Sequence, residues 1–217
     1  MLKIGVFGGS FDPVHVGHLA IAEAALEGAS LDRLLFMPVH VQPFKKGRRM
    51  AEGRHRLRML ELATAGRAAF GVTDLELRAG GVSYTVDSLR ALRESLPVGS
   101  RLYFLLGADM FGMLEQWRGA EEMLREFAFI VAPRRGGEAL PQDAAGGGEG
   151  GAPEMLRAEA ARLKRLRGTE VVLLDMPLVD ASSTEIKRRI REGEDVGGLA
   201  PPEVARYIKE HQLYVLD

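Results

Sequence analysis

Alternation of strand-like and helix-like segments is the feature that most restricts the fold of this chain. Short apolar runs rich in strand-forming residues are mostly followed by stretches with helical periodicity. The predicted strands are Ile4–Phe7, Leu34–Val39, Val72–Leu77, Leu102–Leu106, Phe127–Ala132 and Val171–Leu174. The predicted helices are His18–Glu27, Glu52–Ala65, Thr85–Ser95, Glu154–Leu166, Ser183–Glu192 and Pro202–His211. Because parallel strands need crossover connections, this order predicts an α/β fold: a Rossmann-like doubly wound, mostly parallel sheet with helices on both faces.

The length of the chain and one biased segment set the expected domain organisation. Its 217 residues suit a single domain that spans residues 1–217. Residues 134–153 interrupt the alternation with paired and tripled glycines among Ala, Asp and Glu. This composition predicts a disordered surface loop, to which we assign no chemistry.

Charge and cysteine content exclude several kinds of function. With 29 Lys and Arg against 30 Asp and Glu, the chain has no overall attraction to nucleic acid or membranes. The absence of cysteine removes thiolate nucleophiles and Cys-based zinc sites. The apolar start, Met1–Phe7, is too short for a signal peptide, and no apolar run is long enough to span a membrane. We therefore expect a cytoplasmic protein that meets a small phosphorylated ligand through a local cluster.

A glycine turn and two histidines form the first candidate site. Gly8-Gly9-Ser10 follows the first strand and would let main-chain N–H groups approach a phosphate. The segment matches neither the phosphate-loop nor the dinucleotide pattern, so by itself it fits a tight strand-to-helix turn equally well. His15 and His18 then open the next helix, where imidazoles can donate hydrogen bonds to a triphosphate and stabilise charge on its oxygens. A metal site is disfavoured because no carboxylate accompanies the His-x-x-His spacing.

A second candidate site lies near the C-terminus. Ser182-Ser183-Thr184 begins a predicted helix, and Ser182 with Glu185 fits a capping box. A well-capped helix with a basic solvated face explains this stretch when it is taken alone. The same hydroxyls and N–H groups, with Lys187 and Arg188 one turn further on, also make an anion site for the β and γ phosphates. Two such sites in one chain suit a triphosphate.

Together, Gly8–His18 and Ser182–Lys187 resemble the paired signatures of the nucleotidyltransferase superfamily that carries a His-x-Gly-His motif. Within it the chain resembles the bacterial nicotinate-nucleotide adenylyltransferases. Further matching segments, in the expected order, are Val82–Leu89, Gly107-Ala108-Asp109, Trp117, Phe129-Ile130-Val131, Glu203–Ile208 and Leu213-Tyr214. The resemblance implies that the 5′-phosphate of nicotinate mononucleotide attacks the α-phosphorus of ATP. The products would be nicotinate adenine dinucleotide and pyrophosphate, in NAD biosynthesis.

The resemblance also implies roles for individual residues. The implied catalytic residues are His15, His18, Lys45 and Lys187. The implied ATP-binding residues are Gly8, Gly9, Ser10, Phe11, Gly107, Asp109, Ser182, Ser183, Thr184 and Arg188. The implied acceptor-binding residues are Tyr84, Thr85 and Trp117, whose indole would offer a stacking face to the pyridine ring. The expected cofactor is Mg²⁺, carried mainly by the ATP phosphates, with no metal site formed by the protein itself.

Two departures from the family pattern bear on phosphate binding. Family members commonly have Pro-Pro-His-Lys after the second strand, whereas this chain has Gln42-Pro43-Phe44-Lys45, so that Phe44 replaces the histidine. Lys45 remains a candidate phosphate ligand beside the reading of a solvated basic turn. The serine-rich motif usually ends in Arg, and here Lys187 offers a point charge in place of a bidentate fork.

The implied mechanism is direct in-line transfer without a covalent enzyme intermediate. A phosphate monoester is already ionised near neutral pH, so no general base is needed, and the histidines act electrostatically. Transfer to nicotinamide mononucleotide or another phosphorylated acceptor, and a non-catalytic nucleotide-binding module, stay open as alternatives. The expected partners are ATP and nicotinate mononucleotide, without nucleic acid or membrane, and assembly into a homo-oligomer stays open.

Overall fold

The structure of the chain is a computed structural model that describes residues 1–41, 50–133, 152–177 and 179–215, without the side chains of residues 152 and 153. The strands are β1 (Lys3–Gly9), β2 (Arg33–Pro38), β3 (Phe70–Val72), β4 (Arg101–Gly107), β5 (Ala128–Ala132) and β6 (Val171–Leu173). The helices are α1 (Val16–Gly28), α2 (Gly53–Thr64), α3 (Leu75–Ala79), α4 (Thr85–Ser95), α5 (Ala108–Phe111), α6 (Ala120–Glu126), α7 (Ala152–Arg167), α8 (Ser183–Arg191) and α9 (Pro202–Glu210). A short 3₁₀ helix covers Leu114–Gln116.

The strands form a six-stranded sheet in the order β3-β2-β1-β4-β5-β6. The pairs β2–β3, β4–β5 and β5–β6 run parallel, with Phe104 opposite Phe129 and Ile130 opposite Val172. Each residue of β5 is buried, as a strand covered on both faces requires, and its sequence Ala-Phe-Ile-Val-Ala is continuously apolar. The predicted α/β fold with a mostly parallel sheet is confirmed.

One predicted strand, Val72–Leu77, is wrong. The strand ends at Val72, and Leu75–Ala79 is the helix α3. The strand-forming and apolar residues of Val-Thr-Asp-Leu-Glu-Leu favoured a strand, but two local contacts favour a helix start. Thr73 Oγ1 accepts a hydrogen bond from the backbone N–H of Leu75 at 3.4 Å, and Arg78 pairs with Asp74 across one turn at 2.9 Å.

The other predicted strands and all six predicted helices are present, with boundaries shifted by a few residues. Besides α3, three short helical elements among the described residues were not predicted: α5, the 3₁₀ helix and α6. Helix α6 begins after Gly119, which has a left-handed φ of 71°, and buries Ala120, Met123 and Leu124. Its two turns are too short to give a clear periodic signal in the sequence.

The contacts of the chain divide it into two compact units. The first unit comprises Met1–Val6, Ala24–Asp32 and Thr85–Leu178, and the second comprises Phe7–Glu23, Arg33–Tyr84 and Val179–Asp217. A single domain over residues 1–217 stays a prediction. Among the described residues, no helix combines the length and the apolar character that a membrane crossing requires.

The first unit is built on β4, β5 and β6. Its core includes the buried side chains of Leu89, Leu105, Met123, Phe129 and Ile130. On its surface, Arg90 of α4 donates from Nε to Oε1 of Glu122 in α6 at 3.2 Å and from Nη2 to Oε2 at 2.7 Å. This fork-to-fork geometry fixes the relative position of the two helices.

The second unit is built on β2 and β3, which run beside the C-terminal residues of β1. Helix α2 packs against β3 and α9, and the core includes Phe36, Met59, Leu60, Ile186 and Val204. The glycine loop after β1, the start of α1 and the start of α8 all belong to this unit. The geometry of the first candidate site and of the second therefore lies within one compact body.

Candidate active site

The chain turns sharply at the end of β1. Gly8 and Gly9 are the last two residues of the strand, and Gly9 O accepts a hydrogen bond from Val39 N–H at 2.9 Å. The turn that was expected to begin at Gly8 therefore begins two residues later, at Ser10. Phe11 has a left-handed φ of 46° and a ring that is 1% exposed. A Cβ at Gly9 would lie 2.9 Å from that ring, so a glycine is needed for Phe11 to pack there.

The two histidines lie against each other. Their ring centroids are 3.7 Å apart, with the planes tilted by 31°. The backbone N–H of His15 donates to Nδ1 of His18 at 3.3 Å. Because Nδ1 accepts, the neutral His18 ring carries its proton on Nε2, which is then a donor. A Cβ at Gly17 would lie 3.0 Å from the His15 ring, so the glycine of the motif makes room for that ring.

Burial decides the charge of the pair. The pKa of His15 is lowered to about 4 because burial disfavours the charged ring. Burial, and then repulsion from His15, lower the pKa of His18 well below its ordinary value. Both rings are therefore neutral at pH 7 and offer hydrogen bonds, not positive charges, to an anion. Nδ1 of His15 is buried without a hydrogen-bond partner among the described residues.

The ring of Phe11 packs against His18. Its ring makes an edge contact with His18 at a centroid distance of 5.0 Å and with Phe7 at 5.3 Å. The family resemblance implied that Phe11 binds ATP, and that role stays a prediction. In the structure Phe11 is buried and its ring packs against His18. It fixes the orientation of His18 through packing.

The start of α8 joins the glycine loop. Ser182 is the N-cap residue, and its Oγ accepts from the backbone N–H of Glu185 at 3.1 Å, which confirms the predicted cap. Ser183 Oγ donates to the backbone oxygen of Pro13 at 2.9 Å. The two segments that the sequence singled out as anion sites are thus in direct contact. The Glu185 carboxylate accepts hydrogen bonds from Arg188 and Arg189, so it forms ion pairs on the surface of the helix.

A buried carboxylate at the centre of this cluster was missed by the sequence analysis. Asp12 is 4% exposed and forms an ion pair with Lys187. Its Oδ1 accepts from the Tyr214 hydroxyl at 2.7 Å and from the Ala51 N–H at 3.0 Å. Lys187, which was predicted to be a phosphate ligand, is therefore held beside the glycine loop by an acid of that loop.

A buried arginine was also missed. Arg56 of α2 is 2% exposed and donates to the backbone oxygens of Ser10 at 2.9 Å and Ala51 at 3.0 Å. Burial lowers its pKa, and the nearby Asp12 charge opposes that effect. The sequence did hold a signal: Arg56 occupies the apolar stripe that continues with Met59 and Leu60, where an arginine must find buried acceptors.

Comparison with known proteins identifies the family. Residues 6–189 match the model of the cytidylyltransferase-like family. A relative from Synechococcus sp. (strain JA-3-3Ab), named "Probable nicotinate-nucleotide adenylyltransferase", is 39% identical over 213 residues, which are 98% of this chain and 95% of the relative. A relative of the same name from Neisseria meningitidis serogroup B is 38% identical, over 99% of each chain.

The chain belongs to the nicotinate-nucleotide adenylyltransferase family. It is a nucleotidyltransferase, as the two signatures implied. A solved structure of Plasmodium falciparum nicotinic acid mononucleotide adenylyltransferase complexed with NaAD has the same fold, with a TM-score of 0.73 at 19% identity. That similarity covers 100% of this chain and 99% of the other.

Several residues for which the family resemblance implies a binding role lie in the first unit. Thr85 begins α4, and Trp117 follows the 3₁₀ helix with its ring in edge contact with Phe104 at 6.1 Å. The indole Nε1 of Trp117 is buried without a hydrogen-bond partner among the described residues. A Cβ at Gly107 would lie 2.7 Å from a carboxylate oxygen of Asp109, so the acid folds back over the glycine.

Tyr84 lies in the second unit, beside the segment that follows β2. Val41 and Val82 form a parallel bridge, and Ser83 N–H donates to Val41 O at 3.1 Å. The ring Nδ1 of His40 donates to the backbone oxygen of Gly81 at 2.9 Å, because a carbonyl only accepts. These bonds fix the backbone just before Tyr84, where the family resemblance predicts acceptor binding.

Two of the predicted phosphate ligands, Arg188 and Lys45, are not seen facing a phosphate site in the structure. Arg188 is paired with carboxylates, and Lys45 is not described. Arg188 forms ion pairs with Glu185 at 2.8 Å, with Glu192, and with Glu194 at 3.1 Å, all on an exposed surface. Its contact with ATP stays a prediction. Lys45 and Phe44 lie outside the described residues.

Among the described residues, no three His, Asp or Glu side chains are grouped so that they could hold a metal ion. Asp12, the buried acid of the site, is engaged by Lys187 and Tyr214. A divalent ion that enters with ATP would take its oxygen ligands chiefly from the phosphates.

Proposed function

We propose that this chain transfers the AMP moiety of ATP to nicotinate mononucleotide, giving nicotinate adenine dinucleotide and pyrophosphate in NAD biosynthesis. The observation that carries the proposal is the Ser183–Pro13 hydrogen bond of 2.9 Å, which joins the two anion-binding segments. A triphosphate is an anion long enough to use both. The names of the full-length relatives supply the acceptor.

In the proposed reaction, an oxygen of the acceptor phosphate forms a bond to the α-phosphorus of ATP. The bond from that phosphorus to the β-phosphate oxygen breaks, and pyrophosphate leaves with the electron pair. No proton has to be removed from the nucleophile, since a phosphate monoester is ionised near neutral pH. The protein's task is to align the two phosphates and to stabilise the charge that develops between them.

The histidines suit that task as neutral donors. His18 Nε2–H is a fixed dipole whose hydrogen bond strengthens as charge accumulates on a phosphoryl oxygen. Its orientation is set beforehand by the His15 N–H on one side and the Phe11 ring on the other. We assign His15 and His18 to the reacting phosphate, with Gly8, Gly9 and Ser10 beside them in the adenylyl site.

The outgoing phosphates are assigned to α8 and to the lysines. The first turn of a helix has N–H groups without intrahelical acceptors, and here these belong to Ser183 and Thr184. The hydroxyls of Ser182 and Ser183 build the site, since each already bonds within the protein. Lys187 supplies a positive charge. Lys45 and Arg188 are proposed as further cations.

Mg²⁺ is the proposed cofactor. When bound to ATP it would neutralise phosphate charge and favour departure of pyrophosphate. We propose that Gly107 and Asp109 contact the ATP nucleoside, and that Tyr84, Thr85 and Trp117 bind the pyridine ring.

The net charge of −1 supports a protein that works without nucleic acid or membrane, and we propose a cytoplasmic location.

Product analysis tests the function. The protein is incubated with Mg-ATP and, in separate reactions, with nicotinate mononucleotide, nicotinamide mononucleotide or phosphopantetheine, and the products are identified by mass. We expect nicotinate adenine dinucleotide to form fastest, with pyrophosphate in equal amount. A faster reaction with nicotinamide mononucleotide would support the alternative acceptor, and the absence of any adenylylated product would refute the proposal.

A further inference from the structure

The C-terminal tail turns back onto the second unit. Leu213 N–H donates to the backbone oxygen of Ile208 in α9 at 3.0 Å, which closes the turn. On either side of it, Gln212 and Tyr214 have left-handed φ values of 49° and 66°. Residues other than glycine adopt this conformation at an energetic cost, and such strain concentrates where a side chain must be aimed at a functional group.

Tyr214 is aimed at two groups of the candidate site. Its hydroxyl donates to Oδ1 of Asp12 at 2.7 Å, and its ring lies 4.9 Å from the Lys187 ammonium nitrogen. Oδ1 also accepts from the Ala51 N–H at 3.0 Å, while Oδ2 accepts from Lys187. The carboxylate is therefore held from three sides, and the ammonium contacts both the carboxylate and the ring face.

Lys187 needs such support more than an arginine would. An ammonium group sits on a flexible four-carbon stem, whereas a guanidinium fork fixes its own direction at a phosphate. The Lys187 side chain is 22% exposed, so one part of it reaches solvent while the pair with Asp12 holds its end. The hydrogen bond to Asp12 uses one of three N–H groups, which leaves the others to reach an anion.

We propose that Tyr214 is a positioning residue that acts through Lys187 to set the affinity for ATP. This inference rests on the proposed function, in which Lys187 binds the outgoing phosphates. The hydroxyl of Tyr214 fixes Asp12, Asp12 fixes the ammonium, and the ring blocks the space into which the lysine would otherwise swing. The C-terminal tail thereby becomes part of the triphosphate site without contacting the triphosphate.

The first measurement compares two tyrosine variants. Tyr214→Phe keeps the ring and removes the hydroxyl. Tyr207→Phe is the matched control, because the Tyr207 hydroxyl bonds His55 Nδ1 at 2.9 Å and not Asp12. We expect Tyr214→Phe to lower kcat/KM for ATP by about tenfold, the size of a lost hydrogen bond to a charged group. KM for nicotinate mononucleotide should not change, and Tyr207→Phe should match the wild type.

The second measurement separates positioning from general packing. The Tyr214→Phe change is repeated in a Lys187→Met background, which forms a double-mutant cycle. If Tyr214 acts through Lys187, the second substitution adds no further loss of ATP affinity. Tyr214→Phe should also cause a smaller loss of ATP affinity in a Lys187→Arg background, since the planar guanidinium fixes its own direction at a phosphate. An equal loss in all three backgrounds, or no loss in any, would overturn the inference.

The same proteins distinguish this failure from failure of the proposed function. If the wild type forms no dinucleotide, the proposed function is wrong. The dissociation constant of Mg-ATP, measured by calorimetry without acceptor, still reports whether Tyr214 and Lys187 are coupled. Thermal unfolding of each variant verifies that the comparison is made between folded proteins.

Discussion

At the scale of single residues, the charge state of His15 and His18 determines what they can offer to an anion. A pair of imidazoles next to a phosphate site suggests two cations, but burial keeps both neutral at pH 7. A neutral donor with a fixed direction binds ground-state phosphate weakly and responds to charge as it develops. In the proposed reaction, we expect this arrangement to favour the transition state over the bound substrate.

Replacing His18 by Asn tests the donor role. The Asn side chain keeps an acceptor near the position of Nδ1, where the His15 N–H points, and removes Nε2. We expect kcat to fall by about 10²- to 10³-fold, the usual effect of losing one oxyanion donor. Steady-state turnover is the measurement, and His211→Asn on the exposed end of α9 is the control. Near-normal turnover of His18→Asn would exclude the role.

The pKa of His15 predicts how stability depends on pH. Its folded pKa of about 4 lies below the ordinary value of 6.5, so the unfolded chain binds more protons between these values. Stability from this group is complete above pH 6.5 and is lost as the pH falls toward 4. From pH 7 to pH 4.5 we expect the wild type to lose about 2 to 3 kcal/mol more than His15→Asn. Urea unfolding of both proteins at a series of pH values measures this difference in unfolding free energy. If the two plots of free energy against pH ran parallel, the prediction would be wrong.

At the scale of elements, the start of α8 is a helix cap and, in the proposed function, also half of the phosphate site. Ser182→Ala removes the side chain that accepts from Glu185 N–H, and should cost about 1 kcal/mol of folding free energy. Ser183→Ala removes the bond to Pro13 without touching the cap. We expect Ser183→Ala to raise KM for ATP more than Ser182→Ala does, and to destabilise less. Initial-rate kinetics measure KM for ATP, and denaturant titration measures the free energy of unfolding. A larger rise in KM for Ser182→Ala than for Ser183→Ala would be evidence against the roles assigned to the two serines.

The order of elements was predictable because each long element has a local signal. Continuous apolar character marked β4 and β5, and the Ser182–Glu185 spacing marked the start of α8. Helix α3 was misread because five residues of alternating polarity fit a strand as well as a short helix. There, the Arg78–Asp74 pair and the Thr73 contact support the helix, and these contacts exist only once the helix has formed.

The candidate site was predictable where its chemistry is local in sequence. His15, His18 and the serines of α8 follow from spacing and residue type. Asp12 and Tyr214 are 202 residues apart, so their hydrogen bond leaves no periodic trace in the sequence. Arg56 did leave one, as a charged residue at an apolar helix position, but its acceptors at Ser10 and Ala51 are backbone atoms that no residue type reveals.

At the scale of the whole molecule, ATP binding must appear as stability of the fold, because a ligand that binds only the native chain shifts the unfolding equilibrium. At a Mg-ATP concentration of about 100 Kd the gain is about 2.7 kcal/mol, which corresponds to about 5 to 10 °C in Tm for a chain of this size. Lys187→Met should reduce that gain by about half at the same ATP concentration, since tenfold weaker binding removes about 1.4 kcal/mol.

The matched control for this measurement is Lys209→Met, which removes one exposed lysine from α9 and should leave the ATP-dependent gain in Tm unchanged. Tm is recorded by differential scanning fluorimetry with and without Mg-ATP for all three proteins. If Lys187 serves only as the structural partner of Asp12, its removal lowers Tm equally in both conditions and the ATP-dependent gain is preserved. If it binds the triphosphate, the gain itself shrinks. The two roles are thus separated by a difference of differences, in which general destabilisation cancels.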